Sequence, residues 1–136
     1  MSVTRNTFTK TERLKSRKKI QEIFTSGRVI YLHPFKALYL TEQYSGDTYP
    51  AQIAISVSKR NFRKAVQRNA IKRKVREACR LHKSGFYKSL IKNEQMLKLF
   101  VIYTAKEEYD FHKIENEMKN LLNKISRKVL KELTSS

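Results

Sequence analysis

The segment Ile55-Ser-Val-Ser-Lys-Arg-Asn61 leads, after six residues, into Arg68-Asn-Ala-Ile-Lys-Arg-Lys-Val-Arg-Glu77. The first segment starts as alternating apolar and small polar residues, which predicts a β-strand, and the second has the spacing of an amphipathic helix. From Lys59 to Lys83 there are eleven lysines or arginines and one acid, Glu77. Such a helix repels itself, at a cost of roughly a few tenths of a kcal/mol for each like-charged pair one turn apart. We therefore expect a polyanion to bind here, and nucleic-acid phosphate is the best candidate.

The overall composition gives the same indication. The chain has 136 residues, enough for one domain with its own core, and a formal net charge of +18. A surface that is charged only for solubility carries a net charge of about 2–8 in magnitude. Membrane-surface binding is the competing explanation, but it needs a helix with a broad face of Trp, Phe or Leu. The apolar residues of the basic helix are small or medium-sized, which favours nucleic acid.

The sequence also bounds the location of the protein. The longest apolar run, 99–103, is too short to span a bilayer, and residues 1–6 lack the apolar core of a secretory signal. We therefore expect a cytoplasmic protein with no membrane association. The single cysteine, Cys79, cannot form an intrachain disulfide, and its apolar neighbours on the helix predict a buried thiol.

The domain organisation is simple: a flexible N-terminus at 1–8, a single domain at 9–133 and a frayed tail at 134–136. The first helix is expected to begin at the capping box Thr9-Lys-Thr-Glu12 and to end at Gly27. The later elements are predicted, in chain order, as a strand at 35–42 after Pro34, a turn at 45–47, a strand at 52–58, a helix at 64–82 stopped by Gly85, a strand at 97–104 and a helix capped by Asp110. A short extra strand fits around 29–32. This order predicts an α+β sandwich in which helices pack on one mixed sheet.

The strand at 52–58 has two chemically different faces. Its apolar face consists of Ile53, Ile55 and Val57, which predicts the core side. Its other face consists of Ala54, Ser56 and Ser58. This small, polar face is either simply solvated or the floor of a groove that a ligand approaches closely.

The basic helix shows a similar division. Its apolar arc consists of Ile71, Val75, Ala78 and Cys79, and the neighbouring arc consists of Arg68, Lys72, Arg73, Arg76 and Arg80. One side is therefore expected to pack on the sheet while the adjacent side presents a row of positive charge. Aromatic residues occur near this charge, namely Phe24, Tyr31, Phe35 and Tyr39. Most are expected in the core, but one or two of these rings are candidates for stacking unpaired bases, an interaction worth roughly 1–3 kcal/mol per base.

The sequence does not predict a self-sufficient catalytic site. His112 and Glu115, with Asp110 and 107–108 nearby, form only a weak metal pattern, and acids in the first turn of a helix are explained by its dipole. There is no Gly-rich phosphate loop, zinc spacing or Ser/His/Asp signature. Two-metal hydrolysis would need several converging carboxylates. We therefore expect the protein itself to bind no metal.

Four motifs together resemble a known family. They are Ser56-Val-Ser-Lys-Arg60, Ala65-Val-x-Arg-Asn-x-Ile-Lys-Arg-x-Val-Arg-Glu77, Phe8-Thr-Lys-Thr-Glu-Arg-Leu14 and Ile20-x-x-Ile-Phe24-x-x-Gly27. They resemble the protein subunit of bacterial ribonuclease P, the ribonucleoprotein that removes the 5′ leader from precursor tRNA. The resemblance extends over nearly the whole chain, so 9–133 is expected to be a single RNA-binding domain.

The resemblance implies a fold and a division of labour. The fold is an αβββαβα two-layer sandwich, like the second domain of ribosomal protein S5, whose mixed sheet contains an uncommon left-handed β-α-β crossover. The RNA subunit carries out hydrolysis with Mg²⁺, while the protein contacts that RNA and holds the leader in a cleft. The protein alone is expected to be monomeric.

The resemblance also implies site residues. RNA would be contacted by Lys59, Arg60, Arg68, Asn69, Lys72, Arg73 and Arg76, of which Asn69, Lys72 and Arg76 would also line the leader cleft. The cleft would further include Ile20, Phe24 and Leu38, to which the strand pattern adds Ser56 and Ser58. The chain departs from the family pattern at Ala70, where a second arginine is usual, at Arg63, where glycine is common, and at Ile20, where an aromatic residue is common. The alternatives are a ribosomal-protein-like RNA binder or chaperone with no part in cleavage, and an architectural DNA binder.

Overall fold

The elements follow the order αβββαβα. The computed structural model describes residues 12–46 and 49–134. Its helices and strands are α1 (Arg17–Ser26), β1 (Arg28–Leu32), β2 (Phe35–Gln43), β3 (Ala51–Val57), α2 (Ala65–Lys92), β4 (Gln95–Tyr103) and α3 (Phe111–Thr134). The short extra strand is therefore present as β1, and the α+β class is confirmed.

The four strands form one mixed sheet in the order β1-β2-β4-β3. The β1–β2 and β2–β4 pairs are antiparallel, whereas β3 and β4 are parallel. Because parallel neighbours need a long crossover, α2 joins β3 to β4. This is the β-α-β unit for which the family resemblance implies a left-handed connection. The arrangement places the C-terminal end of β3 next to the start of the basic helix.

The main core lies between one face of the sheet and the layer formed by α2 and α3. Alternate residues of β2 and β4 point into it, among them Phe35, Tyr39 and Tyr103. The predicted apolar stripe of α3 is confirmed, since Ile114, Met118, Leu121, Leu122, Ile125 and Val129 are all buried. Cys79 is fully buried as predicted, with its Sγ 3.6 Å from Sδ of Met118. Burial raises the pKa of the Cys79 thiol to about 12.

The opposite face of the sheet is covered only in part. Helix α1 packs on β2 and β4 through a small cluster of Leu14, Ile23 and Leu38. Among residues 12–46 and 49–134, α1 is the only helix on this side, and these residues leave part of the sheet face uncovered beside it.

The start of α1 differs from the prediction. The helix begins at Arg17, and Ser16 caps it by accepting a hydrogen bond from the backbone N–H of Lys19 at 3.3 Å. Thr9 lies outside the described residues, and Glu12 is buried rather than placed at the third position of a helix. The predicted end at Gly27 is confirmed. A Cβ there would lie 2.3 Å from the Ile23 carbonyl oxygen, so only glycine fits.

The end of α2 also differs from the prediction. The helix does not stop at Gly85 but continues to Lys92. A glycine inside a helix costs about 1 kcal/mol relative to alanine. Burial of Phe86, Tyr87 and Leu90 on the same apolar face outweighs that cost. The segment 86–96, which the pattern left ambiguous, therefore divides into the last turns of α2 and the start of β4.

The start of α3 agrees with the prediction. Asp110 caps it, with Oδ1 accepting a hydrogen bond from the backbone N–H of Lys113 at 2.9 Å. The helix includes Thr134, which the sequence pattern placed in a frayed tail. Of the predicted turn at 45–47, Gly46 adopts a left-handed φ of 87°, as a turn glycine does, and Asp47 lies outside the described residues.

Candidate RNA interface

The loop between β3 and α2 is held by its own side chains. Nη1 of Arg68 donates to the carbonyl oxygens of Phe62 and Arg63, both at 2.8 Å. Nδ2 of Asn61 donates to the carbonyl of Thr104 at 3.1 Å, which ties the loop to the end of β4. Arg68 is thus committed in part to ordering this loop rather than lying fully open to a ligand.

The other cations predicted to bind RNA lie around this loop and the first half of α2. Lys59, Arg60 and Arg73 are exposed, as is Asn69, whereas Lys72 and Arg76 are half-buried. Within residues 12–46 and 49–134, no acidic side chain forms an ion pair with any of these five cations. We call Lys59, Arg60, Lys72, Arg73 and Arg76 the unpaired basic surface. A group of cations without acidic partners is well suited to phosphate.

Two further cations of α2 are used inside the protein. Nζ of Lys74 lies 2.8 Å from Oε2 of Glu108 and thereby ties α2 to the loop before α3. Arg80 pairs with Glu77 at 2.6 Å. The Lys74 pair is not evident from the sequence because Glu108 lies 34 residues away. The Arg80 pair, by contrast, has the i,i+3 spacing at which helical side chains meet.

The predicted cleft residues of α1 lie at the border of the open sheet face. The ring of Phe24 is 51% exposed and packs edge-on against Phe100 of β4, with ring centroids 5.1 Å apart. Ile20 is half-buried beside it. Leu38 is only 3% exposed and lies in the cluster under α1, so it supports the cleft rather than presenting a free surface to it.

Next to α1, one row of residues crosses the sheet from edge to edge. The strand registers align Tyr31, Lys36, Ile102 and Ser56 in this order. Three interstrand steps of about 4.8 Å give the row a length of roughly 14 Å. Ser56 is therefore on the open face, as the alternation predicted, while Ser58 lies in the loop, where its Oγ accepts from the backbone N–H of Asn61 at 3.4 Å.

The aromatic candidates divide clearly between core and surface. Phe35 and Tyr39 are buried in the core. Phe24 and Tyr31 are 51% and 69% exposed, and Nζ of Lys36 lies 5.6 Å from the centre of the Tyr31 ring. Two rings and one cation are thus available on the open face, which is the combination that single-stranded nucleic acid prefers.

A small cavity beside the edge of β3 brings together residues that sequence reasoning did not group. It has a volume of about 170 Å³ and is lined by Arg13, Leu14, Lys15, Arg76 and residues 53–55. Arg13 pairs with Ile53 in a parallel bridge, and the N–H of Leu14 donates to the Ile53 carbonyl at 3.0 Å. Burial, and after it the charge of Arg13, lowers the pKa of Arg76. The predicted capping box places Arg13 and Lys15 inside a helix, so the sequence pattern does not indicate this cluster.

The acidic residues near the start of α3 do not converge. Asp110 caps the helix, and Oε2 of Glu115 lies 3.1 Å from Nε2 of His82. No group of three or more His, Cys, Asp or Glu residues is placed to hold a metal ion in the part of the chain that the structure describes. A helix long and apolar enough to cross a membrane is likewise absent from the described residues.

Comparison with known proteins identifies the family. A family model described as Ribonuclease P matches residues 8–126. The chain belongs to the ribonuclease P protein family. It is 32% identical over 120 residues to the ribonuclease P protein component of Porphyromonas gingivalis, which covers 88% of this chain and 87% of that protein.

Solved structures of ribonuclease P proteins have the same fold. The protein from Thermotoga maritima is 28% identical, with a TM-score of 0.64 over 83% of this chain and 96% of that one. A mutant of the Staphylococcus aureus protein is 28% identical, with a TM-score of 0.66 over 87% of this chain and 90% of that chain. The family, inferred from the four motifs, and the α+β fold class, predicted from the order of the elements, are therefore confirmed. The roles of the individual site residues stay predictions.

Proposed function

We propose that this chain binds ribonuclease P RNA through the unpaired basic surface and holds the 5′ leader of precursor tRNA on the open sheet face beside α1. Membership in the ribonuclease P protein family makes the chain a subunit of an endoribonuclease and implies a ribonuclease P RNA as its partner. Catalysis resides in the RNA of this family. The specific residues and the leader are our proposal.

The observation that carries the proposal is the meeting of two surfaces at the C-terminal end of β3. The first is the unpaired basic surface of the loop and of α2. The second is the open row that starts at Ser56, next to the last residue of β3, and runs to Tyr31. A structured RNA needs phosphate-binding cations, and an extended single strand needs stacking rings as well.

Phe24 favours the leader as the ligand of the open face. Half of this ring is exposed although it contacts Phe100, so it borders the row without being part of the core. A single strand on the row would place phosphates near Lys36 at one end and near the basic loop at the other. Duplex nucleic acid offers no unstacked base to such a ring, which makes an architectural DNA binder the weaker alternative.

The chemistry of cleavage is assigned to the RNA subunit with its Mg²⁺. Two of the acids near α3 already have structural partners, since Asp110 caps α3 and Glu108 pairs with Lys74. The role of the protein is therefore to bind and orient. We further propose that the protein acts in the cytoplasm. We also propose that the free protein is a monomer, which sedimentation of the RNA-free protein would test.

The direct test is leader removal by a cognate ribonuclease P RNA at low Mg²⁺, with and without the protein. We expect the wild-type protein to raise the rate and the Lys72→Ala/Arg73→Ala variant to raise it much less. Arg127→Ala/Lys128→Ala, which removes the same charge from the exposed side of α3, is the matched control and should act like wild type. A protein that binds RNA but leaves the rate of leader removal unchanged would be an RNA binder with no part in cleavage, and the proposal would be overturned. Preference for duplex DNA over structured RNA would also overturn the proposal.

A further inference from the structure

A fully buried ionic network joins the segment before α1 to the second half of α2. Nζ of Lys83 and Oη of Tyr87 each lie 2.6 Å from Oε2 of Glu12, and both Glu12 and Lys83 have no exposed side-chain surface. Nζ of Lys83 also lies 5.6 Å from the ring centres of Tyr49 and Tyr87. Buried charges are costly unless they are paired and hydrogen-bonded, so this network has one well-defined geometry.

The network fixes the position of the residues that follow Glu12. Arg13 and Leu14 are aligned along the free edge of β3 by the parallel bridge and the hydrogen bond to Ile53. Arg13 and Lys15 then line the 170 Å³ cavity together with Arg76 of α2. Lys83 lies seven residues, or about two helical turns, beyond Arg76. The same helix therefore carries the buried partner of Glu12 and the cation that faces Arg13 and Lys15.

The cavity itself has the character of an anion site. Three cations line it, and within the described residues none of the three is ion-paired with an acid. Arg13 and Arg76 are close enough for the charge of Arg13 to lower the pKa of Arg76. Repulsion between these side chains is relieved when a phosphate lies between them.

We propose that Glu12 and Lys83 are positioning residues for RNA binding: they hold Arg13 and Lys15 opposite Arg76 so that the three cations bind a leader phosphate at the edge of β3. The inference rests on the proposed function, because it takes the 5′ leader as the ligand. It adds a segment before α1 to the RNA-binding surface and gives the buried network a purpose beyond stability.

The test is a double-mutant cycle on the reconstituted holoenzyme, measured as affinity for precursor and mature tRNA. Arg13→Ala/Lys15→Ala should lower precursor affinity by about tenfold and leave mature tRNA affinity unchanged, because two phosphate-facing charges are lost. In a Glu12→Gln background, the same pair of substitutions should cost less than about threefold, because the segment is no longer held in place. Affinities are measured at a temperature at which circular dichroism shows every variant folded.

Two further variants separate positioning from stability. Val129→Ala weakens the core on the α3 side and should leave the tenfold effect of Arg13→Ala/Lys15→Ala intact. Tyr87→Phe removes one hydrogen bond to Glu12 and should give an intermediate effect even if Glu12→Gln does not fold. The inference would be overturned if Arg13→Ala/Lys15→Ala lowered precursor tRNA affinity equally in all backgrounds, or did not lower it in the wild-type background. If Phe24→Ala still weakened precursor binding in that case, the proposed function would stand and only this inference would fail.

Discussion

The ring of Phe24 packs edge-on against the ring of Phe100, with the two centroids 5.1 Å apart, while half of Phe24 remains exposed. This contact joins α1 to β4 at the border of the open sheet face. One side of the Phe24 ring thus serves the fold, and the other side is available to a ligand.

Phe24→Ala should therefore affect binding more than folding. We expect the difference in binding free energy between precursor and mature tRNA to fall by roughly 1–2 kcal/mol, because a base of the leader loses its stacking partner. The free energy of unfolding should fall by only about 1 kcal/mol, the value of an aromatic pair, since the ring is half-exposed. Phe35→Ala is the control: this buried ring should cost about 3–5 kcal/mol of stability and leave the affinity ratio unchanged. A stable Phe24→Ala protein with the wild-type ratio would remove Phe24 from the leader cleft.

The buried pair of Glu12 and Lys83 should dominate the stability of the N-terminal segment. Glu12→Gln and Lys83→Met should each lower the free energy of unfolding by about 3–5 kcal/mol, because each leaves one buried charge without its partner. The double variant removes both charges of the pair, so it should lower the free energy of unfolding by clearly less than the sum of the two single variants. Urea unfolding of all four proteins measures this coupling. Additive costs would show that the two charges do not depend on each other.

Cys79 should be unreactive in the folded protein. Burial raises the pKa of its thiol to about 12, so almost no thiolate exists at pH 8, and the sulfur is also inaccessible. We expect a thiol-specific reagent such as DTNB to label the wild-type protein only as fast as it unfolds, and rapidly in denaturant. Immediate labelling under native conditions would contradict the burial of Cys79 against Met118.

The acids near α3 should not contribute to cleavage. Glu107→Gln, Asp110→Asn and Glu115→Gln are each expected to leave the maximal cleavage rate of the holoenzyme nearly intact. Asp110→Asn should also keep the helix cap, because asparagine caps almost as well as aspartate. Single-turnover rates at saturating protein provide the measurement. A thousandfold loss for any one of them, with folding and RNA binding preserved, would place part of the chemistry on the protein.

Several features of the fold were predictable because they depend on local pattern. The alternation of β3 up to Val57, the apolar stripe of α3 and the Asp110 cap each depend on residues that are close in the chain. Gly27 ends α1 as predicted, but the physical reason is not in the local sequence. Glycine is required there because the carbonyl oxygens of Ile23 and Tyr39 approach closely, and not because φ is positive.

The errors arose where tertiary contacts outweighed local signals. Glu12 has the spacing of a capping box, but its partner Lys83 is 71 residues away, and that pairing sets the course of the chain before α1. Gly85 looked like a helix stop because the burial of Phe86 and Tyr87 is not visible in the local pattern. The position of the cavity cations Arg13 and Lys15 is likewise not evident from the sequence, because it depends on the distant pairing of Glu12 with Lys83.

The salt dependence of binding to the cognate ribonuclease P RNA tests most directly whether the unpaired basic surface contacts RNA. Arg60 and Arg73 are suitable probes because both are exposed and neither has an acidic partner in the described part of the chain, whereas Arg68 also orders its loop. For Arg60→Ala/Arg73→Ala, the slope of log K against log salt should become shallower by roughly 1.4–1.8, which corresponds to two lost phosphate contacts. Arg127→Ala/Lys128→Ala changes the net charge equally and should keep the wild-type slope. An unchanged slope for Arg60→Ala/Arg73→Ala, or an equal change for both pairs, would contradict this assignment.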